Sequence, residues 1–456
     1  MTQNGKALRY YYWLFAEFGK KHSKMIFLSF FLSLLLILSL LSFSSQLDSL
    51  FLSNRKIVGT VGAYEPSTLP TEVLNNISYG LVYVDNQGVV KPAVAERWTG
   101  TPDGKKFNVY LKKNLVWDDN RSLTANDLEF NFQDVEVKVV DDFQIEFTLK
   151  RPLVIFPTYL TKPLIRYPLH GVVGDYKLKK LRLGQENKVA EIVLTPNKKD
   201  LIPLTYKFYD SESKMISAFK LGNVTEMKIY KKSVADSFKS WKNAKVTREV
   251  DYTTVLTLFF NESRAALADK DFRKNVSLAI PRPLLAAFGE LAEGPISPTS
   301  WAFNTQLKKS LYDPIAAEKQ LKPSGSASGS ASLSLRSYFD YEQQANILEK
   351  SLKDAGLNAS VVYGTPDDPN DFDMFLAFWK IPTDPDQYFF WHSTQIGRGN
   401  ITNMKNVRID KLLEDGRKYI NPTDRKKEYL DFQKIMADEL PAAFLYYPYG
   451  YTVSRR

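Results

Sequence analysis

The chain carries no charged residue from Met25 to Ser45, where it reads MIFLSFFLSLLLILSLLSFSS. As a helix rising about 1.5 Å per residue, this tract is about 31 Å long, enough to cross a bilayer core. It is apolar all round, so it cannot turn one face to a core and the other to water. Lys20, Lys21 and Lys24 stand just before it, Lys6 and Arg9 lie further upstream, and Asp48 is the next charge after it. The positive-inside rule therefore puts residues 1–24 in the cytoplasm, a single transmembrane anchor at 25–45, and the remainder outside the cell membrane. The alternative is a cleaved signal peptide, whose apolar region is usually shorter, about 7–15 residues.

A chain of 456 residues is too long for one ordinary core and predicts two or three lobes. Its 44% hydrophobic and 25% charged content is that of a globular protein. It has no cysteine, which excludes disulfides, thiolate metal sites and cysteine nucleophiles. The three histidines, His22, His170 and His392, are far apart in sequence and give poor support to direct metal ligation. The net charge of +10 includes no long basic run. The densest cluster, KLKKLR at 177–182, reads as a solvated face or a strand edge blunted by Lys, so no nucleic-acid partner is expected. No phosphate-binding loop, dinucleotide fingerprint, zincin motif or nucleophile elbow occurs. The acidic pairs Asp118-Asp119, Asp141-Asp142 and Asp367-Asp368 stand beside turn signals and read as turn formers. Neither catalysis nor a cofactor is expected.

The tract at 92–129 gives the first motif. Val94, Ala95 and Trp98 are apolar anchors, and Pro102-Asp103-Gly104 is a turn signal. Phe107, Val109 and Leu111 alternate with polar residues, the period of a half-buried strand. Thr124, with Asp127 three residues on, predicts a capped helix entry. With Pro92, Asp119, Leu123, Ala125 and Leu128, this order resembles the signature of extracellular solute-binding proteins of family 5, the peptide-type receptors of ABC importers. The resemblance continues to the C-terminus. It is carried by Gly80-Leu81, the 142–152 strand, the 206–227 segment with Gly222 as the C-cap of its helix, the 271–285 segment interrupted by Pro281 and Pro283, and the FDMFLAFW strand at 372–379. The last segment, 429–447, matches at Gln433, Asp438, Glu439, Pro441, Tyr446 and Tyr447.

The resemblance implies an α/β fold of the two-lobed periplasmic-binding-protein type II architecture, with a reduced extra lobe and one preceding transmembrane helix. The N-terminal lobes would span 57–255 (first lobe 57–75 and 160–255, reduced second lobe 76–159), and the C-terminal lobe 256–456. Relatives return to the first lobe after the Tyr-rich strand; this chain stops at Arg456, so the return is expected to be missing. The implied ligand wall includes Trp379 and the segment after it. Peptide-binding relatives place an Asp there that holds the ligand's amino terminus. Here Pro382 falls at or near that place, so the ammonium anchor is either lost or moved to Asp384 or Asp386. Tyr446 and Tyr447 are candidate ligand walls or core residues, Tyr64 is a candidate at the end of the first strand, and Asn261 is either cleft-facing or a turn residue. Trp117 and Trp391 read as packing residues. The implied function is capture of a solute, oligopeptide at the family level, for ABC transporter permease subunits. A sensor or partner-binding receptor of the same fold, and a surface peptidase-like or chaperone-like protein, are the alternatives.

Overall fold

Strands form where β-branched and aromatic residues alternate, and the first such run, residues 57–61, becomes β1 (Lys56–Val61) of a large mixed sheet. The structure, a computed structural model, describes residues 13, 17–18, 20–25, 27–37, 55–85, 87–321, 332–364 and 371–456. Residues 27–37 are helical, with Phe27, Leu28, Phe31, Leu35 and Leu36 all exposed. Ile26 and residues 38–45 of the apolar tract lie outside the described residues, as do residues 324–331 of the Ser-rich stretch and the Asp367-Asp368 pair. Among the described residues no helix is long and apolar enough to cross a membrane.

A smaller lobe follows β1. A hairpin of β2 (Val82–Val84) and β3 (Val90–Pro92) precedes four antiparallel strands: β4 (Ala95–Gly100), β5 (Lys106–Leu111), β6 (Val135–Asp141) and β7 (Gln144–Leu149). Phe107, Val109 and Leu111 on β5 and Ile145, Phe147 and Leu149 on β7 face one core with the fully buried Trp117. The helix expected after Thr124 is a single 3-10 turn, Ala125–Asp127. Its capping box forms, and the Thr124 N–H donates to Asp127 Oδ2 at 2.7 Å. The chain then extends, because Leu128, Phe130 and Phe132 must all reach the same core.

The large sheet resumes with β8 (Tyr176–Leu183), β9 (Val189–Pro196), β10 (Leu204–Tyr209), β11 (Glu226–Ile229) and β12 (Ala244–Val250). β8 is its edge strand, so the KLKKLR cluster does blunt a sheet edge. Between β10 and β11 the helix Glu212–Lys220 buries Met215, Ala218 and Phe219, as their spacing predicts. Leu221 departs from that pattern: the helix ends before it, Gly222 turns the chain at φ 82°, and Leu221 is left exposed.

The second half of the sheet comprises β13 (Thr254–Phe260), β14 (Gly289–Leu291), β15 (Leu333–Ser337), β16 (Ala359–Tyr363), β17 (Met374–Lys380) and β18 (Ala442–Arg455). The helix Glu342–Asp354 packs Ala345, Leu348 and Leu352 on one face of this half. The helix Pro422–Glu439 packs Tyr429, Phe432 and Met436 on the other. β18 is continuous through both halves. Its residues 442–446 pair with β13, and its residues 449–455 pair with β12 and β11. The expected loss of a C-terminal return is thereby corrected: the Tyr-rich strand is itself the return, because at 14 residues it is long enough to serve both sheets. The halves are thus joined by two antiparallel crossings, β12–β13 in one direction and β18 in the other.

Candidate functional site

The site is built where β17 ends. Trp379 lies opposite Val255 at the crossing end of β13, and the loop beyond it carries Asp384 and Asp386. Both carboxylates are turned onto arginines from the segment that follows the helix Val407–Asp415. Arg425 donates through Nη1 to Asp384 Oδ2 at 2.8 Å and through Nε to the Gly416 carbonyl at 2.8 Å. Arg417 donates through Nε to Asp386 Oδ1 at 2.9 Å and through Nη2 to Oδ2 at 2.7 Å. Such forked pairs are short, directional and strong. The Arg417 guanidinium also lies 3.9 Å over the Tyr388 ring, which stacks in turn on His392 at 4.0 Å.

A third donor reaches Asp386 from the small lobe. In the 3-10 helix Phe156–Thr161, Phe156 and Leu160 are buried, which leaves Tyr159 on the outer side. Its phenol donates to Asp386 Oδ2 at 2.7 Å. Burial, and after it the Asp386 charge, hold this phenol well above its usual pKa, so it remains a donor. A second contact between these lobes is made by the turn at Gly88, where φ is 79°. A Cβ at residue 88 would come within 1.9 Å of Trp301, so only glycine admits this approach. Trp301 meets Tyr429 edge to face at 6.0 Å and lies beneath Arg425.

Of the residues picked out in the sequence, Asp384 and Asp386 are brought together, the Asp386 N–H donating to Asp384 Oδ1 at 2.9 Å, whereas Trp379 packs in the core on Phe390, Trp391 and Phe444. Asn261 is not: β13 pairs Thr254 with Lys380 and Phe260 with Met374, which puts Asn261 about 20 Å along the strand from Trp379. There it is a turn residue, fully buried, donating to the Phe372 carbonyl and accepting from Ser263 and Asn403. Tyr64 packs edge to face on Phe208 in the first lobe. Tyr446 and Tyr447 point to opposite faces of β18 and are almost wholly buried; Tyr446 accepts from Gln344, and Tyr447 donates to the Ile296 carbonyl. Tyr446 and Tyr447 are accounted for by packing, because alternation along a doubly covered strand buries both faces. Trp117 and Trp391 are packing residues as expected.

Tyr159, Trp301, Arg417 and Arg425 were not picked out in the sequence. One signal did point to Arg425. It stands on the buried face of the helix Pro422–Glu439 with Tyr429, Phe432, Gln433 and Met436, at helical spacing, and a buried Arg requires a partner.

Two α/β halves joined by two crossings, with polar groups of different lobes meeting between them, define the hinged two-lobed class of solute-binding protein. Residues 89–400 match the family model described as bacterial extracellular solute-binding proteins, family 5, middle region, and the chain belongs to that family. It is a binding protein rather than an enzyme, and the family is extracytoplasmic. The oligopeptide-binding protein AppA of Bacillus subtilis is 24% identical over 469 residues, covering 86% of each chain. Its crystal structure with a nonapeptide has a TM-score of 0.66 at 21% identity, over 88% of this chain and 94% of that one. NikZ from Campylobacter jejuni, solved with Ni(L-His), has a TM-score of 0.68 at 22% identity over the same shares. These likenesses show the fold.

Proposed function

We propose that this chain is a membrane-anchored, extracytoplasmic binding protein that captures oligopeptide for an ABC importer. The N-terminal lobes would span 57–255 and the C-terminal lobe 256–456, with the end of β18 rejoining the first lobe. The observation that carries the capture reading is the junction at Asp386, where a phenol from one lobe and a guanidinium from the other share one carboxylate. Such a junction would form on closure of the cleft, and would link closure to what lies in it. The family, and the nonapeptide bound by the related AppA, support a peptide. Among the described residues no group of three or more His, Asp or Glu is placed to hold a metal ion. The exposed apolar side chains of residues 27–37, preceded by Lys20, Lys21 and Lys24, support the anchor.

The test is thermal unfolding of a soluble form starting at Ser53, against a peptide pool and a panel of small solutes. A ligand that binds only the folded state raises the midpoint with the logarithm of its concentration. A rise with peptides is expected, and it should weaken in Tyr159→Phe. No rise with peptides, together with a rise for another solute, would overturn the peptide reading and leave the binding class intact.

A further inference from the structure

We propose that the end of the first-lobe sheet where the N-terminal segment joins it is a membrane-contact surface that takes anionic lipid headgroups, an inference that rests on the anchored reading above. The strand register gathers this surface. β1 begins at Lys56 beside Leu204, β11 begins at Glu226 beside Ser454, and β12 begins at Ala244 beside Arg455. The loop before β10, the end of the helix Glu212–Lys220, the turn before β12 and the end of β18 therefore converge at one pole. At about 4.8 Å per strand, the pole is about 19 Å wide from β10 to β12.

Three apolar side chains stand out from it: Ile202 is 47% exposed, Leu221 77% and Trp241 38%. They are held outward by what lies beneath. Trp241 rests on Phe238 at 5.2 Å, Phe238 meets Phe219 at 5.5 Å, and Arg455 donates to the Phe219 carbonyl at 2.7 Å, which fixes the helix end that presents Leu221. Around them Lys198, Lys199, Lys220, Lys242 and Arg456 are exposed or edge the pole. Of the nearby acids, Asp175 is held by Lys198 at 2.6 Å and Glu226 by Lys56 at 2.8 Å. Asp200 is outnumbered by Lys199, Lys220 and Lys242, so the pole keeps an excess of positive charge. A Trp and aliphatic residues within a basic collar is the chemistry of a surface that sits at the level of anionic headgroups.

Position agrees with chemistry. Only residues 46–55 separate the apolar tract from β1, a span of at most about 35 Å when fully extended. The pole is also the end away from the crossing, since β18 enters this sheet at Tyr449 and reaches the pole at Arg455. Contact there leaves the cleft facing solution.

The chain's lack of cysteine makes the test direct. A nitroxide is placed on Leu221→Cys, or on Val407→Cys as an exposed control in the other lobe. The full chain is incorporated in vesicles of phosphatidylcholine alone, or of phosphatidylcholine and phosphatidylglycerol in equal parts. With phosphatidylglycerol, the label at 221 should be about threefold less accessible to a water-soluble nickel chelate than the label at 407. Lys198→Glu, Lys199→Glu and Lys242→Glu together should restore access. Equal access at 221 and 407 in these vesicles overturns the contact, as does shielding that is the same in phosphatidylcholine alone and survives the triple substitution. Flotation in high salt separates the two readings. A chain that does not float overturns the anchor and this surface with it, whereas a chain that floats with an accessible label at 221 overturns the surface alone.

Discussion

Asp386 is the residue on which most of the site turns. Removing one of its donors should be read in ligand release rather than in folding, because Tyr159 belongs to a different lobe from Asp386 and Arg417. Tyr159→Phe removes a hydrogen bond to a charged acceptor, about 1.5 kcal/mol, and should raise Kd roughly tenfold. Isothermal titration against the peptide found by the thermal screen would check this; an unchanged Kd would show that closure does not use this bond. Arg425 is different in kind. Its side chain is fully buried and serves Asp384, Gly416 and Tyr429 at once. Arg425→Met strands a partly buried carboxylate and should cost about 3 kcal/mol of stability, seen as a lower urea midpoint. Glu262 makes the opposite point. Burial pushes its carboxyl up to about 7 from 4.5, and Arg273, 3.4 Å away, only partly opposes this. Because the folded pKa lies above the unfolded one, stability is greatest below pH 4.5 for this group and declines as pH rises through 7. The loss amounts to roughly 3 kcal/mol. Glu262→Gln should flatten that slope in denaturation between about pH 4.5 and 7, and an identical slope in both proteins would show that the group is solvated.

Among the elements, those with a single face to bury were legible down to which side chains face the core, whereas a strand buried on both faces, such as β17, was legible only as a strand. β5 and β7 show their alternation openly, and the helix Glu342–Asp354 shows its stripe of Ala345, Leu348 and Leu352. β18 is buried on both faces over most of its length, so nothing in its pattern separates Tyr446 and Tyr447 as core residues from ligand walls. The site was half legible for a related reason. Asp384 and Asp386 follow a recognisable strand, but their partners are residues 159, 417 and 425, and bonds between segments so far apart in the chain leave no local spacing to read. β14 supplies a prediction at this scale. It fits against β18 because residue 289 has no side chain: a Cβ there would stand 2.1 Å from the Tyr447 carbonyl oxygen. Gly289→Ala must push the two strands apart and should cost about 1–3 kcal/mol, measured as a fall in Tm. A neutral result would show that β14 is dispensable to the crossing.

For the whole molecule, the two crossings make the lobes mechanically dependent. Closure about β12–β13 and β18 should reduce the radius of gyration of the soluble form on adding ligand, as small-angle scattering would record; an unchanged value would place the protein in the closed form before binding. The last strand also sets the order of events in the making of the protein. β18 follows every other strand in the chain, yet it supplies neighbours to β11 and β12 in one sheet and to β13 and β14 in the other. Neither half of the large sheet has all its neighbours until β18 is in place, whereas the four strands of the small lobe pair without it. The two halves would therefore mature together, with the small lobe free to fold ahead of them.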